Sequence, residues 1–197
     1  MARPLIVLAS TSRYRRQLLE RLRLPFEVHA PEVDEATLPG ETPRETALRL
    51  ARAKAEKVAM RFSGAIVIGS DQTVDLNGQT LGKPLTHDAA LAQLQALQGR
   101  TVVFYTALAL VGPVTNRVQS DCVPTKVTFR NLRSVQLEAY LRADQPYDCA
   151  GAAKIESLGT ALVEAVESDD PTALIGLPLI RLTSMLSSAG IDVLAGA

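Results

Sequence analysis

Residues 65 to 69, Ala-Ile-Val-Ile-Gly, carry no polar side chain and hold three β-branched residues in a row. A strand with one wet face would alternate polar with apolar residues, and this run does not. It reads as a central strand, covered on both faces. Leu5-Ile6-Val7-Leu8 has the same character. Strands of this kind sit in sheets flanked by helices, which confines the chain to an α/β architecture.

The remaining elements are placed around those two strands. A helix is expected from Arg13 to Arg23, with Ser12 as N-cap and Tyr14, Leu18 and Leu22 recurring every four residues. Phe26-Glu27-Val28-His29 alternates like an edge strand. Thr42-Pro43-Arg44-Glu45 combines a capping box with proline at the first helical position, and that helix is expected to reach Phe62. The central strand leads through Ser70-Asp71-Gln72 to Asn77-Gly78, a strong hairpin turn. A helix over Thr86–Leu97 closes at Gly99. Two long strands, Thr101–Val111 and Arg117–Phe129, follow around Gly112-Pro113. Ser134–Arg142 reads as helix, 150–153 as a loop, Ala161–Glu167 as a strand and Leu179–Ser188 as the last helix. Hairpins interrupt the helix–strand alternation, so the sheet is mixed and twisted, with flanking helices. Such sheets bind ligands beyond the carboxyl ends of their strands, where residues 10–16 and 70–72 are expected to fall.

The 197 residues fit one domain spanning the chain, and 47% apolar content is enough for a sizeable core. Basic and acidic residues balance at 21 each, so nothing draws the whole chain to nucleic acid or to an anionic membrane. There is no leader-like start and no apolar stretch of membrane length. Cys122 and Cys149 fit neither a disulfide framework nor a zinc spacing, and read as buried or partly buried thiols of a reducing, cytoplasmic compartment.

Chemistry concentrates in a few places. Arg13, Arg15 and Arg16 occupy the first turn of a helix, the end where cations cost stability. An anion docked there would reverse that cost: free N–H groups, the arginines and the Ser10 and Ser12 hydroxyls would all point at it. The competing reading is a solvated turn in which Arg16 pairs with Glu20. Asp71, directly after a buried strand, suits a metal ligand or general base, or merely opens a turn. A two-residue Asn77-Gly78 turn places Lys83 opposite Gln72, and a turn one residue longer places it opposite Asp71. Either register brings an ammonium beside the carboxylate, as a polyphosphate site or as a structural ion pair. Glu32, Asp34 and Glu35 in "PEVDE" matter if the fold carries one of them to Asp71, where two carboxylates can hold a hard divalent ion. Lys54 is not separable from Lys57 by helical pattern alone. Lys154 and Glu156 lie on a flexible approach. His29 and His87 match no catalytic or metal spacing, and there is no Walker loop, GxGxxG or aromatic–basic platform.

Taken together and in order, "LASTSRYRRQLL", "PEVDE", "RAKAEK", "VIGSDQ", "GKP" (82–84), "CAGAAKIE" (149–156) and "GLPL" (176–179) resemble the Maf family of nucleoside triphosphate pyrophosphatases over nearly the whole chain. The resemblance implies an inosine triphosphate pyrophosphatase-like fold with two lobes around a cleft. It implies metal-dependent hydrolysis, with Mg²⁺ or Mn²⁺, between the α- and β-phosphates of a nucleotide, and a homodimer. Asp71 is then the proton acceptor. Ser10, Arg15, Arg16, Lys54 and Lys83 are the polar, phosphate-facing residues of the cleft, and Glu32 is an acidic metal-side position beside Asp71. Arg13 stands where the family commonly has proline, and Ala152-Ala153 replaces a bulkier pair.

Three positions track the family's substrate branches: Tyr14, Gln72 and Glu156 resemble the 7-methyl-GTP branch, whereas Arg, Thr and Gln would mark the dTTP/UTP branch. The chemistry agrees. An aromatic face attracts the delocalised cation of an N7-methylated guanine by about 0.5–2 kcal/mol. A carboxylate can accept from N1–H and the exocyclic amine together. Tyr14 also shares the stripe of Leu18 and Leu22, which would place it in the core instead. A dTTP/UTP pyrophosphatase, or a nucleotide-binding regulator of septum formation without important turnover, are the alternatives.

Overall fold

A computed structural model of the chain describes residues 4–112 and 118–195. One seven-stranded mixed sheet organises it. The strands are β1 (Ile6–Ala9), β2 (Glu27–His29), β3 (Ile66–Leu76), β4 (Gln79–Leu81), β5 (Thr101–Val111), β6 (Gln119–Phe129) and β7 (Val163–Glu167), in the order β2-β1-β3-β5-β6-β7 with β4 paired to the far end of β3. β1 runs parallel to both β2 and β3, and every other pairing is antiparallel. The helices are α1 (Arg13–Glu20), α2 (Pro43–Ala59), α3 (His87–Leu97), α4 (Ser134–Asp144) and α5 (Leu179–Ser188). Among the described residues no helix is long and apolar enough to cross a membrane. The expected turn at Pro113 and the strand start at Arg117 lie outside the described residues.

Local chemistry accounts for the element starts. Ser12 caps α1 by accepting from Arg15 N, and Thr42 with Glu45 forms the reciprocal capping box of α2. Asn77-Gly78 makes the two-residue hairpin with Leu76 opposite Gln79, both turn residues at positive φ.

The central strand is longer than its apolar run. Ser70, Asp71 and Gln72 do not follow the strand but lie inside it, because β5 pairs with β3 continuously from Val67↔Val111 to Asp75↔Val103. β1 pairs only as far as Ala9↔Gly69. The parallel part of the sheet therefore ends just before Asp71, and an opening lies beyond the carboxyl end of β1.

Alternation along β3 sends its residues to two different layers. Ile66 and Ile68 pack with Leu18, Leu19, Leu182 and Leu186 of α1 and α5. Val67 packs on the opposite face with Ala47, Ala51, Ala55 and Val58 of α2. A third cluster surrounds the distal half of the sheet, where Val74, Phe104 and Val127 meet α3 and α4. Gly69 lies under α2, and a Cβ there would stand 2.2 Å from Ala51 O and 2.8 Å from Ala55 N. Both obstacles are backbone, so helix and sheet would have to separate. Gly69→Ala is expected to cost about 3 kcal/mol through overpacking, read as a lowered urea midpoint at unchanged m-value.

Candidate active site

A cavity of about 940 Å³ opens where β1 stops, lined from α1, β3, the 35–37 segment, the hairpin and its exit, the 145–156 segment and the 174–176 loop. Its charged floor is built by α2 and β3. Lys54 lies four residues from Leu50 and from Val58 on the buried face of α2, and only 3% of its side chain is exposed. Asp71 shares the α2-facing side of β3 with Val67 and Gly69. Lys54 Nζ donates to Asp71 Oδ1 at 2.6 Å and reaches Glu35 Oε1 at 2.5 Å. The solvent side of Glu35 meets Lys83 Nζ at 3.7 Å. Burial alone would raise the Glu35 carboxyl, but the Lys54 hydrogen bond and the charges of Lys54, Lys83 and Arg15 outweigh it and hold it below the usual range.

Arg15 enters from the first turn of α1. Its Nε donates to Gly176 O at 2.9 Å, and among the described residues its terminal nitrogens make no hydrogen bond. Burial lowers its pKa, opposed by the charges of Asp71 and Glu35. Residues on the other side of β3 bind the same loop. Ser70 Oγ donates to Gly176 O, and Gln72 Nε2 donates to Ala173 O and Leu174 O as well as to Thr106 Oγ1.

A second group of side chains lines the same cavity. Tyr14 is half-buried and belongs to no core cluster, so its place in the Leu18 stripe does not put it in the interior. Arg13 Nη2 donates to Tyr14 Oη at 2.7 Å, with its guanidinium carbon 4.8 Å from the ring centroid. Lys154 Nζ lies 5.9 Å from the same centroid. Burial pushes the Tyr14 phenol up to about 12. Glu156 also lines the cavity. Burial raises its carboxyl, against its own backbone N–H and the Lys154 charge, and Asp144 and Asp148 push in the same direction as burial.

Four expectations are corrected by this geometry. Lys83 does not stand beside Asp71: the hairpin ladder ends at Val74↔Leu81, and Gly82 turns away with its carbonyl held by Gly151 N and Gln93 Nε2. Lys54 is the ammonium at Asp71. Glu32 does not reach Asp71 either; exposed and at positive φ, it pairs with Arg61 at 3.0 Å, while Glu35 of the same segment reaches the floor. Arg16 points outward and pairs with Glu20 at 3.0 Å. Ser10 is buried behind the cavity wall, where its Oγ accepts from Ser12 N at 3.1 Å and shapes the turn into α1. Of the three acids that the PEVDE run left open, Glu35 is the one the fold carries to the floor. Residues 170–175 are a site element that sequence reasoning passed over.

Fold and cavity define an α/β protein with a cleft that is cationic and carboxylate-bearing on its floor and aromatic on its wall. The chain belongs to the Maf family, whose description reads "Maf-like protein" and whose pattern matches residues 5–189. It is 59% identical over 194 residues to the 7-methyl-GTP pyrophosphatase of Polaromonas sp., covering 98% of this chain and 88% of that protein. It is 60% identical over 191 residues to the 7-methyl-GTP pyrophosphatase of Thiobacillus denitrificans, covering 97% and 95%. Among solved structures it resembles a HAM1 protein from Coxiella burnetii, with TM-score 0.52 and 18% identity over 94% of this chain and 100% of that one. That last likeness concerns the fold alone, and it agrees with the inosine triphosphate pyrophosphatase-like architecture expected.

The buried ammonium makes a test of the floor. Lys54→Met leaves Asp71 with an uncompensated charge in a nearly closed site and is expected to destabilise the protein by about 3 kcal/mol. Asp71→Asn, which leaves Lys54 with Glu35, is expected to cost clearly less, by the same denaturation measurement.

Proposed function

We propose that this chain hydrolyses the bond between the α- and β-phosphates of 7-methyl-GTP, releasing 7-methyl-GMP and pyrophosphate and so clearing a modified nucleotide. What carries this reading is that one cavity holds both halves of such a substrate's counterpart: Arg15, Lys83 and the Asp71–Glu35 pair in one group, Tyr14 and Glu156 in the other. The names of the two close relatives support the same substrate.

Arg15 presents its terminal nitrogens to the polyphosphate, a planar fork suited to two phosphate oxygens. Lys83, half exposed and 3.7 Å from Glu35, adds a second cation. Water attacks the α-phosphorus, Asp71 accepts its proton, and the leaving pyrophosphate keeps its charge against Arg15 and Lys83. Lys54 fixes the orientation of the accepting carboxylate.

No group of three or more His, Cys, Asp or Glu side chains converges among the described residues. Two carboxylates do: Asp71 and Glu35 share one ammonium, and a hard divalent ion is commonly held by one or two carboxylates together with substrate phosphates. The donor set therefore fits Mg²⁺ or Mn²⁺, with Asp71 and Glu35 as the protein ligands. Such an ion would neutralise phosphate charge and polarise the phosphoryl oxygens.

Glu156 accepts from N1–H and the exocyclic amine of the base, and Tyr14 offers its face to the methylated, cationic ring. The Gln72 amide nitrogen is committed to the 173–174 carbonyls and Thr106, which leaves its oxygen to meet a substrate.

Pyrophosphate release from 7-methyl-GTP, GTP, dTTP and UTP, with and without chelator, tests the assignment. The expected result is turnover greatest on 7-methyl-GTP and lost with chelator. Preference for dTTP or UTP would overturn the base assignment, and tight binding without release would favour a regulator. Asp71→Asn is expected to lower kcat by at least about 10²-fold with the fold retained by circular dichroism. Glu156→Gln is expected to lower kcat/KM on GTP, whose base offers the same N1–H and amine, and to lower it further on the cationic 7-methyl-GTP, so that the ratio of the two shrinks by about tenfold.

A further inference from the structure

Asp170 is 2% exposed, and the proposed reaction gives it no role. A carboxylate that deep must be satisfied by donors, and four converge on it. Oδ1 accepts from Thr172 N at 3.1 Å and from Thr172 Oγ1 at 2.7 Å. Oδ2 accepts from Ile180 N at 2.8 Å and Arg181 N at 3.1 Å. Those last two are orphan donors of the first turn of α5, whose own N-cap, Pro178, has no side-chain oxygen. Leu179 N donates to Thr172 Oγ1 at 2.8 Å, and the same hydroxyl lies 2.9 Å from Leu177 O. Residues 170–172 are thereby clasped onto the start of α5, and the chain between them, 173–178, is closed into a fixed loop.

That loop is the one whose carbonyls face the site. Gly176 O receives Arg15 Nε and Ser70 Oγ, both at 2.9 Å. Ala173 O receives Thr106 Oγ1 at 2.9 Å and Gln72 Nε2 at 3.1 Å, and Leu174 O receives Gln72 Nε2 at 3.0 Å. Gly176 itself, at φ +119, is in a region that side chains rarely adopt, so the direction of its carbonyl depends on both ends of the loop being held.

We propose that Asp170 is a positioning residue: by clasping the 170–178 loop to α5 it aims the Gly176 carbonyl, which sets the Arg15 guanidinium at the phosphates. This rests on the reading that Arg15 meets the substrate's phosphates. Asp170 acts through a backbone carbonyl and touches no substrate. Its loss is therefore expected to weaken the grip on phosphate more than the chemical step.

The test uses the full chain with Mg²⁺ and compares wild type, Asp170→Asn, Thr172→Val, Arg15→Ala and the double variant Asp170→Asn/Arg15→Ala. KM and kcat are measured on 7-methyl-GTP, Kd for inorganic pyrophosphate by calorimetry, and Tm on each protein. Asp170→Asn is expected to raise both KM and the pyrophosphate Kd by about tenfold with a smaller change in kcat. Thr172→Val is expected to move both in the same direction. In the Arg15→Ala background, Asp170→Asn is expected to add nothing further to either constant. A lowered Tm with KM and Kd unchanged would leave Asp170 a purely structural cap and overturn the proposal. So would an undiminished further loss in the Arg15→Ala background. Should Asp170→Asn not fold, Thr172→Val decides alone. If the wild-type protein releases no pyrophosphate from 7-methyl-GTP, the functional reading fails, and the pyrophosphate Kd series still judges the clasp.

Discussion

The site depends on one ammonium buried between two carboxylates. Taking Lys54, Asp71 and part of Glu35 out of water carries a desolvation penalty that Coulomb attraction only roughly offsets, so the cluster contributes little net stability. What it supplies is definition. An unpaired charge at that depth is far more costly than a paired one, so any sliding of α2 across the sheet that separates Lys54 from Asp71 is opposed. Gly69 makes the pairing geometrically feasible, because only a residue without Cβ lets the α2 backbone lie that close to β3. The same contact that closes the core thus delivers the site's cation.

Strand parity does the rest. Successive side chains of β3 point to opposite faces. Asp71 shares a face with Val67 and Gly69 and meets α2. Ser70 and Gln72 share the other face with Ile66 and Ile68 and meet the 173–176 loop. Three adjacent residues therefore tie two layers of the molecule to one opening. A one-residue slip of β3 would exchange every one of these partners, and the continuous β5 ladder beside it prevents that.

The parts of this arrangement legible in the sequence are those fixed by neighbours along the chain. The capping box of α2, the Asn77-Gly78 register and the apolar strands each follow from a few adjacent residues. Lys54 was not legible in this way: helical pattern alone does not separate it from Lys57, and its pairing with Asp71 and Glu35, both distant in sequence, is what singles it out. Extending the hairpin register to Lys83 failed because Gly82 leaves the ladder for contacts with Gly151 and Gln93, both distant in sequence. Nothing local distinguishes Glu35 from Glu32 in a run of acids; a left-handed residue at Glu32 and the position of Arg61 decide it. Arg16 shows the opposite case, where the pairing with Glu20 one turn on was the simpler reading and is the observed one. Asp170 carried only the faint mark of Asp-Pro-Thr before a helix.

The two groups lining the cavity carry different burdens in the proposed reaction. Every nucleoside triphosphate offers the same phosphates, so Arg15 and Lys83 contribute binding and rate without discriminating among bases. Selection of a cationic base over its neutral parent must come from groups that sense charge. Tyr14 alone is a weak sensor here, because Arg13 and Lys154 already lie over or near its ring and occupy part of its attraction for cations. The carboxylate of Glu156 has to supply the larger share, with the Lys154 charge beside it opposing and Asp144 and Asp148 adding a smaller negative contribution. Burial is the main cause of the raised Glu156 pKa, and a half-buried carboxylate gains from a positively charged partner, which an N7-methylated guanine brings and guanine does not.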